Sequence, residues 1–126
     1  MRLRKAASSP APALAISSGA ESRLELVFNS GPDGITFISS QYATYPFHVC
    51  RPHYLDQAPQ GMATLYFQSC SGGLFEDDNL ACSVAAKAAT AVHLTSQAST
   101  IVHSSRCGRP AIQRTAICAE KDAIVE

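Results

Sequence analysis

The sequence predicts an all-β protein, and three observations support this class. Leu24, Leu26 and Phe28 alternate with charged or smaller residues, as in a strand that buries one face. Short segments rich in β-branched and aromatic residues recur roughly every ten to fifteen residues, and Gly, Pro, Asn and Asp separate them. Helical signals are few. We therefore expect a β-helix-like or sandwich-like array of short strands that is incomplete on its C-terminal side.

Composition limits the class of protein further. The 126 residues suffice for one domain, and a 46% apolar content allows a packed core. Ten basic and ten acidic residues give zero net charge, so nothing favours binding to nucleic acid or to an anionic membrane. No segment approaches the roughly 20 apolar residues of a membrane-spanning helix. Five cysteines without a CxxC pair are typical of reduced, mostly buried thiols in a cytoplasmic protein.

The chain divides into a tail and one β domain. Residues 1–21 are rich in Ala, Ser and Pro and show no periodicity, which predicts a disordered, flexible tail rather than an organelle transit peptide. Residues 22–126 form the predicted domain. Its first two strands should pair as a hairpin around the turn at 29–34. Alanines in residues 80–90 also favour a helix, but we predict a strand over residues 80–86. The predicted strands are Arg23–Phe28, Ile35–Tyr42, a short piece within Tyr45–Pro52, Met62–Cys70, Leu80–Ala86, Ala91–Ser96, Thr100–His103 and Ile112–Ala119.

One cluster has the residue types of a metal site. His48, Cys50 and His53 offer two imidazoles and a thiol, which suit nickel or zinc. On a strand, positions 48 and 50 share a face about 6.6 Å apart, whereas position 53 has the opposite parity and follows Pro52. The three side chains converge only if the chain bends at that proline, so they are weak candidates.

Other candidate sites lack a supporting motif. His93 and His103 stand beside hydroxyl residues, but no GxSxG motif is present and no acid is placed in the sequence to orient a histidine. The acidic run at residues 76–78 lacks the spacing of a calcium loop and predicts a solvated loop. Gly72 and Gly73 are not followed by GK[ST], so no nucleotide site is expected. The residues alone thus predict a mostly β domain without a catalytic constellation.

Three stretches in order resemble the UreD (UreH) family of urease accessory proteins. Residues 47–54, FHVCRPHY, are similar to an apolar strand of that family that ends in Arg-Pro and an aromatic pair. Residues 71–75, SGGLF, are similar to its Pro-Gly-Gly-Leu turn, and residues 94–103, LTSQASTIVH, to its Leu-Thr-Thr-Gln-Ala-Ala-Thr-Lys-Val-Tyr. The residues that carry these motifs, with a structural or partner-facing role, are Arg51, Pro52, Gly72, Gly73, Thr95, Gln97 and Thr100.

This chain departs from the family pattern in places. Ile101 replaces a usual lysine and His103 an aromatic residue, and the acidic loop lacks two of the family's glycines. Family members are about twice as long, so the resemblance covers their N-terminal half. The missing half should leave strand edges and apolar surface exposed, and we expect the isolated chain to be poorly soluble or marginally folded.

The resemblance implies a role in urease maturation. UreD proteins join UreF and the GTPase UreG on apo-urease, and they are thought to conduct nickel rather than to catalyse a reaction. The implied function is a scaffold and conduit with nickel in transit, no tightly bound cofactor and no nucleotide bound by this chain. Two alternatives stay open: a metal-binding chaperone that holds nickel through His48, Cys50 and His53, or a truncated fragment without function.

Overall fold

A computed structural model describes residues 21–55, 59–97 and 99–126, and every regular element within them is a strand. The predicted tail lies outside the described residues, apart from Glu21, which begins the first strand. Eight strands follow one another along the chain: β1 Glu21–Ser30, β2 Thr36–Ala43, β3 Phe47–Val49, β4 Ala63–Ser69, β5 Asn79–Ala86, β6 Ala91–Ser96, β7 Ile112–Ala119 and β8 Ile124–Val125.

The strands form two four-stranded sheets. The first sheet has the order β2-β1-β5-β7 and the second the order β3-β4-β6-β8. The hairpins β1–β2 and β3–β4 are antiparallel, and every other pairing within the sheets is parallel. From β4 onward the chain crosses from one sheet to the other at each connection. Parallel pairing with a crossover at every step is the arrangement of a β-helix, which confirms the predicted all-β, β-helix-like fold.

The last turn of this β-helix advances by the same number of residues in both sheets. Asn79 of β5 lies opposite Ile112 of β7, and Ala91 of β6 lies opposite Ile124 of β8, an offset of 33 residues in both sheets. Equal offsets in the two sheets mean that one coil of chain repeats without a change of register. Residues 79–111 are therefore one coil, and residues from 112 onward begin the next.

The core lies between the sheets and comes from both. The first sheet contributes Leu24, Leu26 and Phe28 of β1 with Cys82 and Val84 of β5, and the second contributes Leu65 of β4 and Val92 of β6. The period-2 pattern of β1 points every second side chain inward, and the outward residues at positions 21, 23 and 25 are charged. β5 repeats this pattern, since Leu80, Cys82, Val84 and Ala86 are buried while Ala81 and Ser83 are exposed.

Most predicted strands are confirmed, including the hairpin of β1 and β2 and the ambiguous segment at 80–86. Residues 100–103 form no strand, because only Val102 makes a single parallel bridge, to Leu74. The two-residue strand β8 was not predicted, since so short a segment carries no periodicity. The expectation that the cysteines are mostly buried is wrong: only Cys82 is buried, while Cys70, Cys107 and Cys118 are exposed.

Candidate functional site

A cavity of about 280 Å³ opens between the two sheets, where the chain crosses from the second sheet to the first. We call it the corner cavity. The ends of β4 and β6 and the starts of β5 and β7 bound it, together with the connections that join them. The lining residues are Phe47, Phe67, Ser69, Ser71, Gly72, Gly73, Leu74, Leu80, Ser96, Gln97, Ser99, Thr100, Ile101 and Gln113.

The polar groups of the corner cavity are neutral. Among the residues that the structure describes, its lining includes five hydroxyl side chains and two carboxamides, those of Gln97 and Gln113, but no His, Cys or carboxylate. Ser69 and Ser71 lie 2.9 Å apart between hydroxyl oxygens, and the Ser71 hydroxyl donates to the Gly73 carbonyl at 2.9 Å. These groups are weak, exchangeable oxygen ligands, unlike a thiolate or imidazole set that holds late first-row metals tightly.

Two of the motif stretches meet at this cavity. We call residues 71–75 the glycine corner. The Leu74 amide donates to the Ile101 carbonyl at 2.8 Å, and the His103 amide donates to the Leu74 carbonyl at 2.9 Å. Gly73 has a φ of +132°, and a β-carbon at this position would overlap the Ile101 carbonyl oxygen. Glycine is thus required for the close approach of the two crossover connections.

His103 completes this contact. Its ring stacks on that of Phe75, with centroids 4.3 Å apart and planes within 5°, and its Nε2 lies 2.9 Å from the Gly72 carbonyl. A carbonyl only accepts, so Nε2 carries the proton. The imidazole fills the place where the family pattern has an aromatic residue. Sequence reasoning noted that substitution but did not predict the stack on Phe75.

Arg51 and Pro52 lie elsewhere. They line a second, more open groove of about 480 Å³, which β2 residues 37–41 bound on the other side. The Arg51 side chain is exposed. Thr95 is half-buried on β6, opposite Tyr66 of β4, and lines neither cavity. The structure therefore brings Gly72, Gly73, Gln97 and Thr100 together and separates the other three motif residues from them.

The weak metal candidates do not converge either. His48 is exposed on β3 opposite Gln68, whose Nε2 lies 3.5 Å from the Cys50 sulfur. His53 makes a backbone bridge with Thr64, and its ring packs edge-on against Tyr66 at 6.2 Å. Within residues 21–55, 59–97 and 99–126, no group of three or more His, Cys, Asp or Glu side chains is placed to hold a metal ion.

His93 has a carboxylate neighbour that sequence reasoning missed. Its Nδ1 lies 3.4 Å from Glu126 Oε2. Glu126 is 33 positions later in the chain and directly follows β8, whose pairing with β6 brings the two residues together. Both side chains are well exposed, and within the described part of the chain no serine hydroxyl bonds to the ring of His93 or His103. The pair is a surface contact that lacks the nucleophile of a hydrolytic site.

The acidic loop is not solvated as predicted. Glu76 Oε2 accepts hydrogen bonds from the Ser105 hydroxyl at 2.7 Å and from the amides of Arg106 and Cys107 at 3.0 and 2.9 Å. The Cys107 amide, then the Ser105 hydroxyl, lower the pKa of Glu76 below its ordinary value. Asp77 pairs with Arg109 Nε at 2.8 Å. The loop fixes the exposed connection before β7.

No helix in the described part of the chain is long and apolar enough to cross a membrane.

Comparison with known proteins agrees with the sequence motifs. The family described as "UreD urease accessory protein" matches residues 20–126. Two similar proteins are named urease accessory protein UreD 1. The protein of Pseudomonas syringae pv. tomato is 42% identical over 80% of this chain and 35% of its own length. The protein of Methylorubrum populi is 40% identical over 92% of this chain and 40% of its own length. A UreD protein of Cenarchaeum symbiosum is 37% identical over 72% of this chain and 32% of its own length. The chain thus matches less than half the length of these curated relatives.

Proposed function

Because the chain belongs to the UreD family of urease accessory proteins, we propose that it acts in urease maturation as a scaffold and conduit. In this proposal it joins UreF, UreG and apo-urease in the cytoplasm, and nickel passes along it towards the urease active site. Nickel is the cargo and not a resident cofactor. The chain itself catalyses no step and binds no nucleotide, which leaves GTP to UreG.

The chemistry of the corner cavity carries this proposal. A path for a metal ion needs ligands that bind and release quickly, and hydroxyl and carboxamide oxygens do so, whereas a Cys/His set would trap nickel. The cavity opens to solvent at the corner between the two sheets, where eight of its lining residues are exposed, and residues 71–74 and 99–101 form part of its wall. These belong to two of the three stretches that carry the family resemblance.

Retention of nickel by His48, Cys50 and His53 has less support. The three side chains lie on or after β3 and do not form a cluster, and His53 is held by its bridge to Thr64. A fragment without function is the other alternative, because the surfaces that grip urease in longer family members need not lie within the matched region.

A reconstitution assay tests the proposal. The chain is mixed with UreF, UreG and apo-urease, its binding is read by pull-down, and urease activity is measured after nickel and GTP are added. Binding with activation is the expected result. Gln97→Leu with Thr100→Val should lower activation several-fold without loss of binding, since they replace oxygen ligands by apolar groups in the cavity.

Two controls make the assay specific. Gln41→Leu removes the same carboxamide from exposed β2, outside the corner cavity, and should leave activation unchanged. Replacement of His48, Cys50 and His53 by Ala should also leave nickel retention in equilibrium dialysis unchanged. A loss of retention in that triple variant would favour the metal-holding alternative. Absence of binding, when a full-length relative binds, would reject the scaffold role for this chain.

A further inference from the structure

The imidazole of His103 offers a ring nitrogen beside the corner cavity. Its Nε2 lies 2.9 Å from the Gly72 carbonyl oxygen, and because a carbonyl only accepts, Nε2 carries the proton of the neutral ring. The lone pair of the ring is then on Nδ1. Among the residues that the structure describes, none forms a hydrogen bond or an ion pair with Nδ1. His103 is exposed, so a small ligand can reach the ring from solvent.

Three contacts fix the orientation of this ring. It stacks on Phe75 with centroids 4.3 Å apart, its Nε2 donates to the Gly72 carbonyl, and a β-carbon at Gly73 would lie 3.0 Å from its edge. Histidines that bind metals usually donate their second ring N–H to a backbone carbonyl or a carboxylate, which fixes the tautomer and makes the free nitrogen a better ligand. His103 has this arrangement, and a ring so held loses little freedom when it binds an ion.

The ring lies against the wall of the corner cavity. Gly72 and Gly73 contact His103 and line the cavity, and the His103 amide donates at 2.9 Å to the carbonyl of Leu74, a third lining residue. His103 itself is not a lining residue. An ion on Nδ1 is therefore held close to the oxygen-lined path of the proposed function.

All four histidines lie in the described part of the chain, and they differ in how firmly the ring is held. His93 Nδ1 faces a carboxylate at 3.4 Å, which is longer than a usual hydrogen bond, and both side chains are exposed. The ring of His53 packs edge-on against a tyrosine, and His48 is exposed on β3. Of the four, only His103 combines a stacked ring with a short hydrogen bond from one ring nitrogen.

We propose that His103 Nδ1 is a single-imidazole binding site for nickel, a loading point that holds the ion beside the corner cavity. Imidazole suits nickel, and one such ligand without a chelating partner releases the ion readily. The described residues place no group of three or more His, Cys, Asp or Glu side chains to hold the ion more tightly, so water keeps its other positions. The proposal rests on the proposed function only for the onward path of the nickel, because binding to the ring needs no partner protein.

Protection from acylation by diethyl pyrocarbonate tests the site in the chain alone. The reagent acylates an unprotonated ring nitrogen and bound nickel blocks it, so peptide mass spectrometry can follow each histidine separately as nickel chloride is added. His103 should reach half-protection at a nickel concentration at least about tenfold lower than that for His48, and below those for His53 and His93. Magnesium should protect none of the four, because it prefers oxygen ligands. Equal half-protection of all four rings, or earlier protection of another histidine, would overturn the proposal.

Two phenylalanine substitutions check whether the stack prepares the ring for nickel. Phe75→Leu removes the stack and should raise the nickel concentration for half-protection of His103 several-fold. Phe37→Leu is the matched control, because the two phenylalanines are 45% and 43% exposed and Phe37 lies away from the ring on β2, and it should change nothing. Equal values in the two variants would overturn the argument from the held ring.

Activation of urease at limiting nickel separates this site from the scaffold role. His103→Phe keeps an aromatic ring for the stack and removes both ring nitrogens, so it should slow activation several-fold at limiting nickel and have no effect at saturating nickel. His93→Phe should have no effect at either concentration. Unchanged activation by His103→Phe would overturn the loading point and leave the scaffold role standing. Protection of His103 in a chain that activates no urease would support the site and count against the scaffold role.

Discussion

Replacement of Gly73 by alanine tests whether the glycine corner holds the two crossover connections together. At a φ of +132° an alanine is strained by about 1–3 kcal/mol. Its β-carbon would also overlap the Ile101 carbonyl oxygen, which must then move away from the Leu74 amide, and loss of that hydrogen bond costs about 1 kcal/mol. We therefore expect Gly73→Ala to lower the free energy of unfolding by about 2–4 kcal/mol.

Urea denaturation followed by circular dichroism measures this loss. For a small protein whose free energy of unfolding falls by about 2 kcal/mol per molar urea, the midpoint should drop by about 1–2 M. Gly72→Ala is the matched control, because a β-carbon there meets only the tip of Phe75 at 3.9 Å, and its effect should stay within about 0.5 kcal/mol. Equal effects of the two substitutions would refute the argument from close approach.

Three further predictions concern separate parts of the fold. Glu76→Gln should speed hydrogen exchange of the Cys107 amide, because the amide loses its carboxylate acceptor. Folding lowers the pKa of Glu76, so its carboxylate stabilises the fold fully above the ordinary pKa of 4.5, and this stabilisation is lost as the pH falls through the lowered pKa; amide exchange measured across that pH range checks this. Cys82, whose pKa burial raises, should react with a thiol reagent only after denaturation, whereas the three exposed cysteines react in the native chain; four equally fast thiols would contradict the burial of Cys82. Phe28→Ala should destabilise the chain by about 3–5 kcal/mol in urea titration, because the side chain is fully buried, and a loss below about 1 kcal/mol would argue against the core as described.

The local pattern of the sequence predicted strands well but not their pairing. Alternation of Leu24, Leu26 and Phe28 fixes which face of β1 is buried, and that information lies within a few residues. The parallel pairing of β5 with β7 joins residues 33 apart, and no periodicity within either strand encodes it. The fold class could therefore be predicted, while the 33-residue step required the structure.

Predictions of the site succeeded where a residue's own backbone decides the outcome. Residues 71–75 were predicted to form a turn from their resemblance to the family's glycine turn, and there Gly73, though not Gly72, has a positive φ. The acidic loop was wrongly predicted as solvated, because the hydrogen-bond partners of Glu76 lie about thirty residues later in the chain. The contact of His103 with Phe75 was missed for the same reason, since both belong to crossover connections that meet only in the folded coil.

The corner cavity is built by successive turns of the chain. Gln113, the second residue of β7, lines it together with residues of the two crossover connections that precede β5 and β7. Each crossover from the second sheet to the first passes the same corner, as the bridge between Leu74 and Val102 shows for two successive connections. It follows that Gln97→Leu, which removes a carboxamide from the second of these connections, should impair nickel delivery without weakening binding to UreF, UreG and apo-urease.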